Sequence, residues 1–229
     1  MENTMMRIAI DGPAASGKGT LALKLCAHFG FAYIDTGAIY RAITYLALQN
    51  GIDVANEDSV AQFATTQNFS FTSLGEICHN GKNLSAYIRT AEMSQQASIV
   101  SSYPKVRDAI FHLQQELAAQ LGQEKGVVMD GRDIGTVIIP DAEIKFYIDA
   151  DVQMRAKRRF EHNVAHLEGF SLTYENVLAE LMERDERDKN REIAPLKQAD
   201  DAILVDTTHQ TINESFAELV QHVEAKQKS

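Results

Sequence analysis

Residues Gly12-Pro13-Ala14-Ala15-Ser16-Gly17-Lys18-Gly19-Thr20 follow a short apolar run, Met6-Arg7-Ile8-Ala9-Ile10. The order is strand, glycine-rich turn, helix, which is the plan of a phosphate-binding loop. Backbone N–H groups at a helix N-terminus hold an anion without help from side chains. Gly12 and Gly17 let the backbone bend close around phosphate. Lys18 adds a point charge for terminal phosphates. The stretch therefore predicts binding of a nucleoside triphosphate. The usual pattern places a hydroxyl straight after the lysine. Here Gly19 stands there, and Thr20 carries the hydroxyl one place later.

Further stretches group arginines with carboxylates. Asp35-Thr36-Gly37-Ala38-Ile39-Tyr40-Arg41 runs from a strand end into a helix. Its N-terminal backbone can hold a second anion, which Arg41, one turn in, can clamp. By itself the stretch reads more simply as a capped helix with an exposed arginine. Asp130-Gly131-Arg132-Asp133-Ile134-Gly135-Thr136 follows a strand expected to lie centrally in a sheet. Gly131 and Gly135 allow tight turns, and Arg132 projects where anions would sit. Asp133 accepts from an exocyclic amine or orders the arginine. A turn with a local Arg–Asp pair is the plainer alternative.

In a helix expected from about Tyr174 to Arg191, the stripe Val177, Leu181, Arg184, Asp188, Arg191 stays on one face. It begins apolar and becomes charged. Arg187 lies one turn from both Arg184 and Arg191, and Asp188 keeps two arginines apart. Such a helix runs from packed protein into an anion site, or else ends in a solvated lattice of salt bridges with Glu183, Asp185 and Glu186. Arg155, Arg158 and Arg159 share another helix face. They close over a transferring phosphate as a lid, or form a solvated face. His162 and His166 are one turn apart, a spacing that can bind metal. No suitable third ligand stands nearby, so zinc is not expected.

The elements that must position these residues alternate. Strands are expected at about 5–11, at Ala32-Tyr33-Ile34, and at Gly126–Asp130, Ile144–Asp149 and Ala202–Asp206. Helices are expected from Gly17 to His28, with Leu21 and Leu25 inward, and from about Ala38 to Gln49. Residues from about Gly51 to Ala91 break the rhythm. Their alternations, around Phe69–Thr72 and Tyr87–Arg89, suggest a small β-rich insert. Pro104 fits a first helical position, with Ser101 and Ser102 as cap candidates. Val106, Ile110, Leu113, Leu117 and Leu121 form the apolar stripe behind it. Thr211 and Glu214 read as a capping box for a last helix. Strands ending in Asp between helices argue for a parallel α/β sheet with ligands at its carboxyl edge.

Composition narrows the partners. The chain has 229 residues, a formal net charge of −10, two cysteines, and no apolar run near the length of a membrane span. That charge repels nucleic acid polymers and anionic membranes, so no partner of either kind is expected. An anionic ligand must be held by a local cluster of cations. Cys26 and Cys78 form no disulfide framework or zinc pattern, which fits a reducing cytoplasm. Met1-Glu2-Asn3-Thr4 lacks the basic start of a signal peptide. With no long apolar face left over, a monomer is expected.

Together these features describe two anion sites, the phosphate loop and a pocket around Arg41, Arg132, Arg184 and Arg191. Phosphoryl transfer needs positioning and charge compensation more than covalent help. The pattern suggests a kinase whose acceptor is itself a phosphate. The Gly-Lys-Gly-Thr ending, Asp35–Arg41, Tyr103–Arg107, Asp130–Thr136, and Arg184–Arg191 with Ala194-Pro195-Leu196 resemble bacterial cytidylate kinases along essentially the whole chain. The resemblance implies a P-loop NTPase-type α/β core, with a parallel β-sheet flanked by helices. It implies one domain over 1–229: core 1–50, 92–150 and 192–229, a monophosphate-binding insert at about 51–91, and a short helical lid at about 151–191. It also implies transfer of the γ-phosphate of ATP to CMP or dCMP; two charged pockets with no obvious covalent nucleophile between them predict direct in-line transfer with Mg²⁺ and no phosphoenzyme.

Carried onto this sequence, the resemblance puts Gly12–Thr20 around ATP, with Lys18 on the β- and γ-phosphates and Thr20 near Mg²⁺. Arg41, Arg132 and Arg191 would clamp the CMP phosphate. Ser98, Arg107 and Asp133 would meet the cytosine, and Arg184 and Asp188 the sugar. Arg158 and Arg187 would reach the transferring phosphoryl group. Thr36 stands where relatives often carry serine. A carboxylate at Asp133 favours cytosine's amine over uracil's carbonyl. Other acceptors, such as UMP or AMP, are alternatives within the same chemistry. A GTP-binding switch would want Asn-Lys-x-Asp, which the sequence lacks.

Overall fold

Five strands end at one edge of a parallel sheet. A computed structural model describes residues 6–72, 75–166 and 171–228. The expectations for Met1–Thr4 and for a strand beginning at residue 5 lie outside these, as do 73–74 of the insert and 167–170 of the lid. The strands are β1 (Arg7–Asp11), β2 (Ala32–Asp35), β6 (Val127–Gly131), β7 (Ile144–Asp149) and β8 (Ile203–Asp206), ordered β2-β6-β1-β7-β8. Every pairing is parallel. The strand β1, rather than β6, is central, and β6 lies beside it. A strand buried on both faces reads as a continuous apolar run, as Ile8-Ala9-Ile10 does.

Alternation assigns the two faces. Ile8, Ile10, Val128, Phe146 and Ile148 pack under α1 (Lys18–Phe29) and α9 (Ile212–Gln227), against Leu21, Leu25, Leu219 and Val223. Ala9, Ile34, Val127 and Met129 pack on the other side, under α2 (Thr36–Gln49) and α6 (Pro104–Lys125). Val106, Ile110 and Leu117 of the α6 stripe are buried, while Leu113 and Leu121 are partly so. The Thr211–Glu214 capping box of α9 is formed. Among the described residues no helix is long and apolar enough to cross a membrane.

The insert differs from its β-rich expectation. It holds a three-stranded antiparallel sheet, β3 (Ser70–Phe71), β4 (Ile77–His79) and β5 (Lys82–Asn83). It also holds the helices α3 (Glu57–Ala64) and α4 (Ser85–Ile88). Asn56 caps α3 by accepting from Ser59 N, and Glu57 and Asp58 occupy its first turn. A further helix, α5 (Ala91–Val100), is capped by Thr90. Ser101 and Ser102 do not cap α6. Their hydroxyls donate back to Ser98 O and Ile99 O, closing the end of α5, and Tyr103 precedes Pro104 as a cap without a side-chain bond. Two helices, α7 (Val152–His166) and α8 (Tyr174–Asn190), pair over the sheet's carboxyl edge.

Ile8 is fully buried in β1, and Leu204 is 53% exposed on the edge strand β8. Ile8→Ala is expected to destabilise by about 2–5 kcal/mol, and Leu204→Ala by less than about 0.5 kcal/mol. Urea unfolding of the two variants measures the contrast.

Candidate active site

The phosphate loop is built by backbone geometry at the end of β1. Gly12 has φ +152°, and a Cβ there would lie 2.0 Å from Ile148 O. Only glycine fits that approach. Gly17, at φ +92°, caps α1 without any side-chain bond, so no side chain occupies the helix N-terminus. The Ser16 hydroxyl is buried without a hydrogen-bond partner. Lys18 is 8% exposed and donates to Pro13 O at 3.2 Å. Burial pushes its ammonium down to about 7, helped by Arg132 and Arg184 and opposed by Asp130 and Asp35. Thr20 is exposed on α1 and does not line the cavity that Lys18 faces.

Ion pairs organise a second pocket beside the phosphate loop. Asp133 is 5% exposed and receives both Arg107 and Arg191, the latter at 3.1 Å. Arg107 also donates to Ser101 O and lies over the Tyr40 ring. Asp188, at 3% exposure, accepts from Arg132 Nε at 2.7 Å, with Arg184 Nε 4.0 Å away. The two arginines hold the Asp188 carboxyl below its usual range against the effect of burial. Burial also lowers Arg184, to about 9, and Arg132 adds to that shift. Arg41 donates to Asp35 at 2.6 Å, while the other Asp35 oxygen caps α2 through Ala38 N. The Nε groups of Arg41, Arg107 and Arg184 are buried without an acceptor. Thr36 spends its hydroxyl on Asp130 O at 2.8 Å. A pocket lined by Thr36, Arg41, Arg107, Arg132, Asp133, Arg184, Asp188 and Arg191 brings eight of the expected acceptor residues together.

The remaining expected residues divide. Arg187 Nη1 donates to Ser98 Oγ at 2.8 Å and its other arm reaches Glu183, beside a cavity of about 300 Å³ that Ser98 also lines. Arg158 lines none of these cavities and donates to Thr207 O and Thr208 O. Its neighbour Arg159 lines the larger cavity of about 410 Å³ together with Lys18, Arg41, Arg132 and Arg184. Arg155 is consumed structurally, bonding Ala14 O, Ala150 O and Asp185. His162 and His166 stack at 4.4 Å, and His162 faces the cavity. Among the described residues no group of three or more His, Cys, Asp or Glu is placed to hold a metal.

Two strand-end carboxylates carry no site role in the sequence reading, and Arg159 appears there only as one of a lid face. Asp130 and Asp35 both line the Lys18 cavity. Burial lifts Asp130 to about 6, Asp35 repels it further, and the Tyr33 hydroxyl donates to it. Their signal was present as acids at strand ends. Arg159 sits one residue beyond Arg158, a difference that helix rotation alone decides.

A model of the family described as "Cytidylate kinase" matches residues 8–225. The chain belongs to the cytidylate kinase family. It is 42% identical to the cytidylate kinase of Bacillus subtilis over 226 residues, covering 97% of this chain and 98% of the relative. It is 44% identical to that of Bacillus licheniformis, covering 96% of each. A solved structure of an uncharacterized protein from Eubacterium ventriosum shares the fold, with TM-score 0.52, 12% identity, and coverage of 97% of this chain and 99% of that one.

A triphosphate beside Lys18 restores its charge. At pH 8, above the phosphate pKa of about 6, binding of a non-hydrolysable ATP analogue is expected to take up a proton fraction. Calorimetry in buffers of different ionisation enthalpy measures it, and Lys18→Met is expected to abolish the uptake.

Proposed function

We propose that the chain transfers the γ-phosphoryl group of ATP to CMP and dCMP, yielding ADP with CDP or dCDP. The observation that carries this reading is one cavity bearing both Lys18 and the arginines Arg41, Arg132 and Arg184. Cations on both sides of a transfer line suit a donor and an acceptor that are both phosphates. In the proposed reaction a phosphate oxygen of CMP attacks the γ-phosphorus in line, and the bond to the bridging oxygen of ADP breaks. The ionised acceptor oxygen needs no general base.

In this reading Gly12–Lys18 cradle the donor, while Arg41, Arg132 and Arg191 hold the CMP phosphate. Asp133, ordered by Arg107 and Arg191, accepts from the cytosine amine, and Ser98 lies at the base edge. Arg184 and Asp188 meet the sugar. Arg159, rather than Arg158, faces the transferring group, and Arg187 serves the acceptor side through Ser98. Mg²⁺ suits the all-oxygen donors here. It takes one or two carboxylates with substrate phosphates and waters, and buried Asp130 and half-buried Asp35 are two neighbouring carboxyls that repel each other. They, rather than Thr20, would hold it. The ion, when bound, neutralises charge on the donor phosphates.

The proposal treats 1–229 as one domain, with 51–91 and 151–191 as the acceptor-binding insert and the lid. It also takes the protein as a monomer of a reducing cytoplasm. In support, large exposed apolar side chains are scattered over separate elements, such as Leu48, Tyr87, Met182 and Leu204, and both cysteines are free.

The deciding assay offers ATP·Mg²⁺ with CMP, dCMP, UMP, AMP, GMP and dTMP. Turnover confined to CMP and dCMP is expected. Equal use of UMP would remove the role given to Asp133, and ATP hydrolysis with no acceptor consumed would remove the kinase. Arg132→Ala is expected to lower kcat/KM for CMP by about 10²–10³ while leaving affinity for an ATP analogue nearly unchanged. Arg159→Ala is expected to lower kcat well below that of Arg158→Ala. Equal losses in the last pair would return the lid role to Arg158.

A further inference from the structure

The turn that carries Asp133 has an unusual cap. Residues Ile134–Ile138 form one wide helical turn, with Ile138 N bonded to Asp133 O and Ile139 N to Ile134 O. Asp133 occupies the cap position, yet its side chain caps nothing. Both of its oxygens are engaged by Arg107 and Arg191. The first amides of the turn, Ile134 N and Gly135 N, are buried and need an acceptor. Asp11 supplies it from the far end of the chain. One of its oxygens accepts from Ile134 N and the other from Gly135 N, each at 2.8 Å. Asp11 is 4% exposed, so these bonds lie away from water. The next residue is Gly12, which opens the phosphate loop pressed against Ile148 O.

We propose that Asp11 is a positioning residue: its carboxylate caps the acceptor turn in place of Asp133, freeing Asp133 to face the acceptor and tying that turn to the phosphate loop. Asp11 lines none of the nucleotide cavities described above, so it acts through Asp133 on one side and Gly12 on the other. The inference rests on the reading of the pocket as a CMP site. Any natural side chain other than a carboxylate of this length loses one acceptor or both.

The isosteric variant Asp11→Asn keeps one acceptor and sets an amide NH₂ against a backbone N–H. The KM for CMP is expected to rise about tenfold, the KM for ATP to change less than about threefold, and the preference for CMP over UMP to fall about tenfold. Equal rises in both KM values with an unchanged CMP/UMP ratio would make Asp11 a merely structural residue and overturn the proposal, as would no change at all. If the variant does not fold, amide exchange in the wild-type protein decides. A non-hydrolysable ATP analogue, added without acceptor, is expected to slow exchange at Ile134 and Gly135, and unchanged rates there overturn the link. Failure of the wild type to phosphorylate CMP would sink the functional reading instead, while the exchange experiment still stands.

Discussion

The structure depends on holding many cations together in one small region. A buried guanidinium without a counter-charge costs several kcal/mol, and this acidic chain, at net charge −10, has carboxylates to spare. Each arginine of the acceptor pocket is therefore set on or near an aspartate: Arg41 on Asp35, Arg107 and Arg191 on Asp133, Arg132 on Asp188 with Arg184 close by. The pairing is incomplete by design of geometry. Each carboxylate has two oxygens, whereas each guanidinium has five donors. Donors are left over, and three of them are the buried, unmatched Nε groups of Arg41, Arg107 and Arg184. Lys18 has no carboxylate within ion-pair distance among the described residues, and burial, with Arg132 and Arg184 nearby, lowers its pKa.

The parallel sheet makes this lattice possible. Asp11, Asp35 and Asp130 reach the same edge because β1, β2 and β6 run in one direction. The register pairs Asp35 with Asp130, and the mutual repulsion of these two is the price of bringing both beside Lys18. Tyr33, two residues before Asp35, bonds Asp130 across the strands. Arg132 and Asp133 leave β6 just past the edge, where α8 crosses with Asp188 and ends at Arg191. Without α8, Arg132 would lack its partner Asp188.

The α/β alternation, all five parallel strands and most helices were legible, because each carried a clear apolar period. The α3 and α5 helices were not. The α3 helix spans only eight residues, so its apolar face of Val60, Ala61 and Ala64 is short, and α5, at ten, carries no strong apolar stripe. Their clearest signals were the caps Asn56 and Thr90, which are easy to pass over in a polar stretch. Ser101 and Ser102 misled because serine before proline suits a cap, yet here the hydroxyls close the preceding helix. In the site, the phosphate loop was legible since glycine positions alone encode it. The stripe from Val177 to Arg191 was legible because helical spacing fixes a face. The choice between Arg158 and Arg159 was not, since adjacent helical residues diverge by about 100° and only packing tells which side meets solvent. Asp11 was invisible for another reason: its partners are backbone amides, which leave no mark in a sequence.

The packing of α7 and α8 explains which of their arginines remain available. Ala14 of the phosphate loop is buried with Ala156, Val177 and Leu181, so the two helices rest on the loop itself. Arg155 completes the joint by bonding Ala14 O, Ala150 O and Asp185 at once. Arg158 fastens the outer side of α7 to the Thr207–Thr208 segment, and Thr207 in turn bonds Ser16 O. With Arg155 and Arg158 committed to holding α7, its third arginine, Arg159, is left for the cavity, next to His162 one turn on. A helix that must both anchor and present charge divides those duties among its arginines: Arg155 and Arg158 bond carbonyls and Asp185, and Arg159 lines the cavity.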